Sequence, residues 1–361
     1  MTQQDHLQML DLILTVWAPL FVGSGSSYTK KEYMYNNRDG MVSFFNEQKF
    51  FNFLVERDLV EKYSQFMLDP AARDLWKFLT QECGIPYAEL EPLTRYKLKV
   101  QDALDAKHSL KEIHAFQRDA YDRAYIPGSS VKGALRTAWL LDAILDDSET
   151  EHTLSPDKRA SFPEAHYVNL LHLNAKRAED AVNSIFRGIQ ISDSAAISDK
   201  CMMLAGKIDA NTNGGTHSIN LCRECVMPGT RIRFRLTLDQ SVLKGRITQE
   251  TLQKVIRRYD AYYQQTYGRK FTPPADTAPL PQQPYLILGG GSGFFAKSLA
   301  YPYLGEKEGL RWTAKQLSDM RAFKGHKHEQ DVDKGISPHT MKYARYNNRF
   351  YPYGYCGVSM E

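Results

Sequence analysis

Residues 126–140, Ile-Pro-Gly-Ser-Ser-Val-Lys-Gly-Ala-Leu-Arg-Thr-Ala-Trp-Leu, constrain this chain most, because they force a tight turn to run directly into a helix. Pro127 cannot continue a helix from upstream, Gly128 permits an unusual turn, and Ser129 or Ser130 can cap the first free amides. The spacing predicts a helix starting near Val131. Lys132 and Arg136 then lie four apart on one face, with Gly133 between them, beside amides whose summed dipole favours negative charge. A phosphate backbone would fit there. Val131, Ala134, Leu135, Ala138, Trp139 and Leu141 are apolar, so the other face of the same helix belongs in a core.

The chain's 361 residues are enough for two domains, each with its own core. Hydrophobic content of 42% and charged content of 24% are those of a globular protein. The longest apolar run, Leu10 to Leu20, contains Asp11 and Pro19 and is too short to cross a bilayer. No basic segment precedes it, which argues against a signal peptide and for a cytoplasmic location without membrane attachment. Net charge is only +4, so any nucleic-acid role must come from local arrangement. Five cysteines at irregular spacing fit a reducing compartment. Cys222 and Cys225 form one Cys-x-x-Cys with no second pair or His-x3-His to complete a tetrahedral site, so buried thiols are expected there and neither metal nor cofactor.

Leu7 to Trp17 reads as a central strand ended by Gly23-Ser24-Gly25. Tyr33 to Tyr35 and Met41 to Phe45 flank the hairpin turn Asn36-Asn-Arg-Asp-Gly40. Residues 49–125 read mostly as helices: Phe50 to Glu56, Leu59 to Phe66 and Leu110 to Ala120. Asp142 to Asp157 reads as a surface loop. Phe186 to Ile191 and Cys201 to Ile208 have strand character, Asn211 to Thr216 is a turn, and Ser218 to Met227 with Arg231 to Leu238 reads as a hairpin about Pro228-Gly229. Leu252 to Tyr267 is helical, and the proline-rich Phe271 to Pro284 is a rigid connection. These elements lack the regular repeat of a doubly wound sheet, so the fold class is α+β. The boundary is placed at 225/226, giving domains 1–225, with the helical insertion at about 49–125, and 226–361.

Arg231, Arg233 and Arg235 alternate with Ile232, Phe234 and Leu236, which puts three guanidiniums on one face of a strand. That ladder suits an RNA groove, through counterion release, and suits a solvated sheet face equally well. Leu288-Gly-Gly-Gly-Ser-Gly-Phe-Phe-Ala-Lys-Ser298 is not a Walker loop, since Ala296 precedes Lys297, and no ribose-binding acid follows in a βαβ unit. Gly289, Gly290, Gly291 and Gly293 still allow close backbone approach to a phosphodiester, with Lys297 supplying charge. Tyr343 to Tyr355 mixes aromatics with Arg345 and Arg349. Such mixtures stack single-stranded bases, but aromatic strands more commonly pack in a core, and the same holds for Tyr259, Tyr263 and Tyr267. Lys324, His326, Lys327 and His328 read as a solvated basic loop.

Three of these stretches together resemble the RAMP superfamily of CRISPR proteins, and within it the fifth Csm family of subtype III-A effector complexes. They are Ile126 to Leu140, the glycine loop at 288–298, and Leu14-Thr-Val-Trp-Ala-Pro-Leu-Phe-Val-Gly-Ser-Gly25 with Tyr28 to Tyr35. Phe21 departs from the pattern, standing where many relatives have His. The resemblance implies two ferredoxin-like, RNA-recognition-type domains with glycine-rich loops beside a nucleic-acid groove. It further implies a non-catalytic subunit that caps the 3′ end of the CRISPR RNA. Its partners would be that RNA, the other Csm subunits, the repeated backbone subunit above all, and host nucleases that trim the guide. The groove would comprise Gly23, Ser24 and Gly25, Gly128 to Arg136, and Gly289 to Lys297.

Catalytic groupings are not legible. The remaining histidines, His6, His108, His114, His152, His166, His172, His217 and His339, are scattered, and Asp193 sits alone between serines. A general acid or base needs a positioned partner. Other RAMP relatives cleave RNA with a His or a loop Asp, so an endoribonuclease acting on guide precursor or target is the competing expectation.

Overall fold

The computed structural model describes residues 6–71, 74–100, 112–147, 152, 154 and 163–361. Its strands form two sheets. The smaller holds β1 (Leu7–Val16), β7 (Ile189–Ile191), β10 (Arg231–Asp239), β11 (Tyr285–Ile287) and β14 (Tyr355–Met360), in the order β11-β14-β1-β10-β7. The larger holds β2 (Gly23–Tyr28), β3 (Tyr33–Asn36), β4 (Met41–Phe45), β5 (Thr94–Val100), β6 (Glu112–Phe116), β8 (Met202–Asn211), β9 (Thr216–Val226), β12 (Thr340–Tyr346) and β13 (Arg349–Pro352). Its path is β2-β6-β9-β8-β5-β4-β3, with β12 joined to β8 and β13 to β12. The α+β class holds.

The expected alternation on β10 is present: Arg231, Arg233 and Arg235 are exposed, whereas Ile232, Phe234 and Leu236 are buried. Their apolar face meets Leu12 and Leu14 of β1 and the inner faces of the helices Gly128–Leu145 and Gln249–Thr266 in one core. Each large side chain buried there contributes about 1.5–3 kcal/mol. Within the smaller sheet, leaving β11 and the strands of the other sheet aside, the order along the chain is β1, the helix Gly128–Leu145, β7, β10, the helix Gln249–Thr266, β14, with the four strands arranged β14-β1-β10-β7. Tyr259, Tyr263, Tyr267, Tyr343, Tyr353 and Tyr355 are buried, so those aromatics are packing.

Several local expectations are corrected. The stretch Ser218–Met227 does not pair with Arg231–Leu238: β9 bonds to β8 and β6, while β10 bonds to β1 and β7. Gly229, at φ +92°, turns the chain from one sheet to the other, and its N–H donates to Val16 O at 2.7 Å. A cut at 225/226 therefore runs through both sheets, because β1 and β7 pair with later strands and β12 pairs with β8. Leu110 to Ala120 is not helical where described; it contains β6. Ile113 is buried and its neighbours Glu112 and His114 are not, the two-residue period of a strand. Helices do occupy Glu47–Glu56 and Val60–Leu68, and Phe50, Phe53, Leu54, Phe66, Phe78 and Leu90 build a second, smaller core with Met34 and Phe45. The signature helix runs to Leu145, into the stretch expected to be a loop, and much of the remainder of that stretch lies outside the described residues.

Candidate nucleic-acid interface

The three glycine-bearing segments meet. A cleft of about 540 Å³ is lined by Phe21 to Gly23 and Gly25 to Ser27, by Glu112 and His114 of β6, by Ser130, by Gly289 and Gly290, and by Lys297. Strand pairing explains the first wall. The β2–β6 register shifts between Gly23 and Ser27, a bulge that throws Ser24, Gly25 and Ser26 outward into solvent. Gly25 has φ +90° and nothing within 4 Å of where a Cβ would stand.

Backbone hydrogen bonding explains the second wall. Gly290 N–H donates to Phe21 O at 2.7 Å, tying the glycine loop onto the segment between β1 and β2. A Cβ on Gly289, whose φ is +80°, would lie 2.2 Å from Phe21 O, so no larger residue allows this approach. Lys297, at the end of that loop, is exposed and lines the cleft.

The signature helix supplies the third wall, but not as expected. Its regular geometry starts at Gly128, not Val131, and neither serine caps it. Asp193 does: its Oδ1 accepts from Gly128 N–H at 2.9 Å, so the carboxylate that looked isolated in sequence neutralises the helix start. Gly128 is a packing glycine, since a Cβ there would stand 2.1 Å from Ile191 O. Lys132 Nζ donates to Ile189 O at 2.6 Å, and burial first, then the nearby Arg136 charge, pull its pKa below the usual lysine range. Arg136 pairs with Glu164 and lies over the Phe186 ring. The chain itself engages both cations, Lys132 at a backbone carbonyl and Arg136 at a carboxylate. Ser129 and Gly133 are the exposed positions of this turn, and Ser130 is the one that reaches the cleft. Arg231, Arg233 and Arg235 do not line it either; Arg233 stands 3.8 Å from Asp11 across the sheet surface.

Three contributors escaped the sequence. His114 and Glu112, alternate residues of β6, bring an imidazole and a carboxylate 3.3 Å apart into the cleft. Arg223 of β9, only 7% exposed, lies between the Phe21 and Tyr353 rings at 5.4 and 5.3 Å and packs under Gly291. Its Nε and Nη1 find no acceptor among the described residues. A buried cation with unfilled donors beneath a glycine loop favours an anion above it. None of the three stands in a recognisable motif, and the pairing of β6 with β9, which sets His114 against Arg223, brings them to one place. Cys222 and Cys225 are buried in β9, as thiols of the core. The basic loop needs correction at one position: His328 is buried, bonded to Asp331, and the fold brings His339 to the same carboxylate.

Among the described residues no helix is long and apolar enough to cross a membrane. A family model described as the RAMP superfamily matches residues 14–354. A CRISPR system Csm5 protein of Streptococcus thermophilus is 30% identical over 306 residues, covering 82% of this chain and 81% of that protein. Its counterpart in Mycobacterium tuberculosis (strain CDC 1551 / Oshkosh) is 25% identical over 385 residues, covering 99% and 98%. Among solved structures, a chain of a type III-A Csm–crRNA–target RNA ternary complex superposes with TM-score 0.67 at 18% identity, covering 97% of this chain and all of that one. T. onnurineus Csm5 superposes with TM-score 0.57 at 16% identity, covering 95% and 99%. The chain belongs to the RAMP superfamily and, within it, to the Csm5 family.

Proposed function

We propose that this chain is a non-catalytic RNA-binding subunit of a type III-A CRISPR effector complex, which caps the 3′ end of the CRISPR RNA and supports its trimming by recruited nucleases. The observation that carries the reading is the meeting of three remote glycine-hinged segments in one cleft beside the exposed Lys297. Gly23, Ser24, Gly25, Ser129, Ser130, Gly133, Gly289, Gly290, Gly291, Gly293 and Lys297 form the RNA-facing surface, with Arg223 beneath it. Lys132, Arg136 and Gly128 shape the wall and do not touch RNA. Recognition is through phosphates and shape, since glycines and serines offer backbone amides and hydroxyls rather than base-reading side chains. The occurrence of a related chain in a Csm–crRNA–target RNA complex supports RNA and the other Csm subunits as partners. The test is a map of protected guide positions in the assembled complex with and without this subunit. Protection lost at the 3′ end alone supports the reading; an unchanged map overturns it.

His114 beside Glu112 favours the nuclease alternative, because a carboxylate that orients an imidazole is what a general base requires. Labelled repeat RNA and complementary target, incubated with the protein with and without magnesium, separate the two readings. Cleavage abolished by His114→Ala would replace the capping role with an enzymatic one.

A further inference from the structure

The cluster just ahead of β12 is used neither by the cleft nor by the proposed RNA role. His328, on the short turn His328–Gln330, is 4% exposed, Asp331 is fully buried, and His339 directly precedes β12. His328 Nδ1 lies 2.8 Å from Asp331 Oδ2, and His339 Nδ1 lies 2.5 Å from Oδ1. We propose that His328, Asp331 and His339 bind one divalent transition-metal ion of the zinc class.

Donor chemistry sets the class. Two imidazoles and one carboxylate are the ligands of zinc-like ions, and too few oxygens converge here for calcium or magnesium. The candidate ligand atoms all fall within 4.8 Å of one another. Tetrahedral coordination with bonds of about 2.0–2.1 Å needs about 3.3 Å between ligand atoms, so the ion enters by shifts of about one to one and a half ångströms. Charge points the same way. Among the described residues Asp331 has ion-pair contacts only with the two imidazoles, so its buried charge has no Lys or Arg to offset it. A divalent ion supplies that offset.

The surroundings are also those of a held site. Ser337 Oγ donates to Asp331 Oδ2 at 2.7 Å. Ser337 is itself clamped, donating its N–H to the Tyr301 hydroxyl at 3.0 Å and accepting that hydroxyl's proton at its carbonyl, at 3.1 Å. Such outer contacts fix a ligand carboxylate before an ion arrives. His339, the least buried of the three, marks the side of entry, where a water completes the tetrahedron. The ion would fasten the helical segment 300–334 to β12. Lys342 of β12 packs against Gly293, its Cγ 3.6 Å from where a Cβ would stand, so the site also backs the glycine loop.

The test needs no RNA. Untagged full-length protein is stripped with a chelator, reloaded with Zn²⁺ or Co²⁺ and desalted. The expected result is about one ion per chain, a tetrahedral Co²⁺ absorption band, and a melting temperature raised by Zn²⁺. His339→Gln should cut affinity at least tenfold and abolish the Zn²⁺-dependent melting shift, while His326→Ala, an exposed neighbour outside the three, should keep both. His339 is partly exposed, so that variant carries the test even if His328→Gln does not fold. Folded wild-type protein that retains under about 0.1 ion per chain, or His339→Gln that retains as much as wild type, would show a purely hydrogen-bonded carboxylate and overturn the site.

Discussion

The segments that meet at the cleft use glycine for opposite reasons. At Gly128 and Gly289 a side chain is excluded by backbone: a Cβ would stand 2.1 Å from Ile191 O and 2.2 Å from Phe21 O. At Gly25 and Gly133 nothing lies within 4 Å, and the missing side chain leaves open surface. One pair lets two backbone segments approach each other; the other leaves backbone bare at the surface. Both pairs look alike in sequence, and the difference decides which substitutions break the fold and which break binding.

The largest effect should come from the closed pair. Gly128→Ala forces a methyl into the Ile191 carbonyl and should cost about 2–4 kcal/mol, the range of an overpacked site that cannot relax. Gly289→Ala adds the strain of a positive φ to a similar clash and should cost at least as much. Urea unfolding of both variants checks this; a loss below about 1 kcal/mol in either would mean that the backbone there relaxes around the added methyl.

Next comes charge on the open side. Lys297→Ala should weaken guide RNA binding by up to about tenfold and lower the slope of log affinity against log salt by about one, the mark of a single lost phosphate contact. The Arg231, Arg233 and Arg235 ladder provides the contrast, because it lies off the cleft lining. Replacing all three with Gln should leave the slope nearly unchanged, and a drop of about three would move the RNA path onto the small sheet.

Gly133→Ala cuts the comparison more finely. In an exposed helix interior, alanine is favoured over glycine by about 0.5–1 kcal/mol, and no clash opposes the gain here. The variant should therefore be more stable than wild type and yet bind RNA less tightly, since the methyl stands where the backbone was bare. Thermal melting and filter binding on one preparation read both. Gain without loss would place the RNA elsewhere.

Much of this was legible in the sequence. The period-two pattern of β10, the hairpin at Asn36 to Gly40 and the three glycine segments announced themselves through local chemistry. What escaped was long-range. Whether β9 continues into β10 as a hairpin or crosses to another sheet depends on which strands compete for each edge, and Val226 N–H finds Leu20 O at 2.8 Å instead. Arg223, buried beneath Gly291, carries no local signature. Asp193 looked isolated because its partner, the amide of Gly128, is remote in the chain. The partners of Lys132 and Arg136 escaped for the same reason: helical spacing says which face a cation shares, not whether that face meets solvent or the Ile189 carbonyl and Glu164.

Lys132 gives the smallest effect and the one that separates wall from ligand. Burial first, then Arg136, hold its amine below the ordinary lysine pKa. A base whose folded pKa is depressed binds fewer protons folded than unfolded, so its contribution to stability grows as pH rises through the interval from the depressed value up to the unfolded one. It falls away as pH drops through the folded value. Lys132→Met removes that dependence while keeping the aliphatic stem packed, at the loss of the bond to Ile189 O. The stability of wild type relative to Lys132→Met should therefore increase from pH 8 toward pH 10.5, measured as the difference in urea midpoints so that other titrating groups cancel. Guide RNA affinity near pH 7.5 should be unchanged within about twofold, because an amine already donating to a buried carbonyl is not available to a phosphate. A tenfold loss of RNA binding with no pH-dependent difference in stability would return Lys132 to the groove as a ligand.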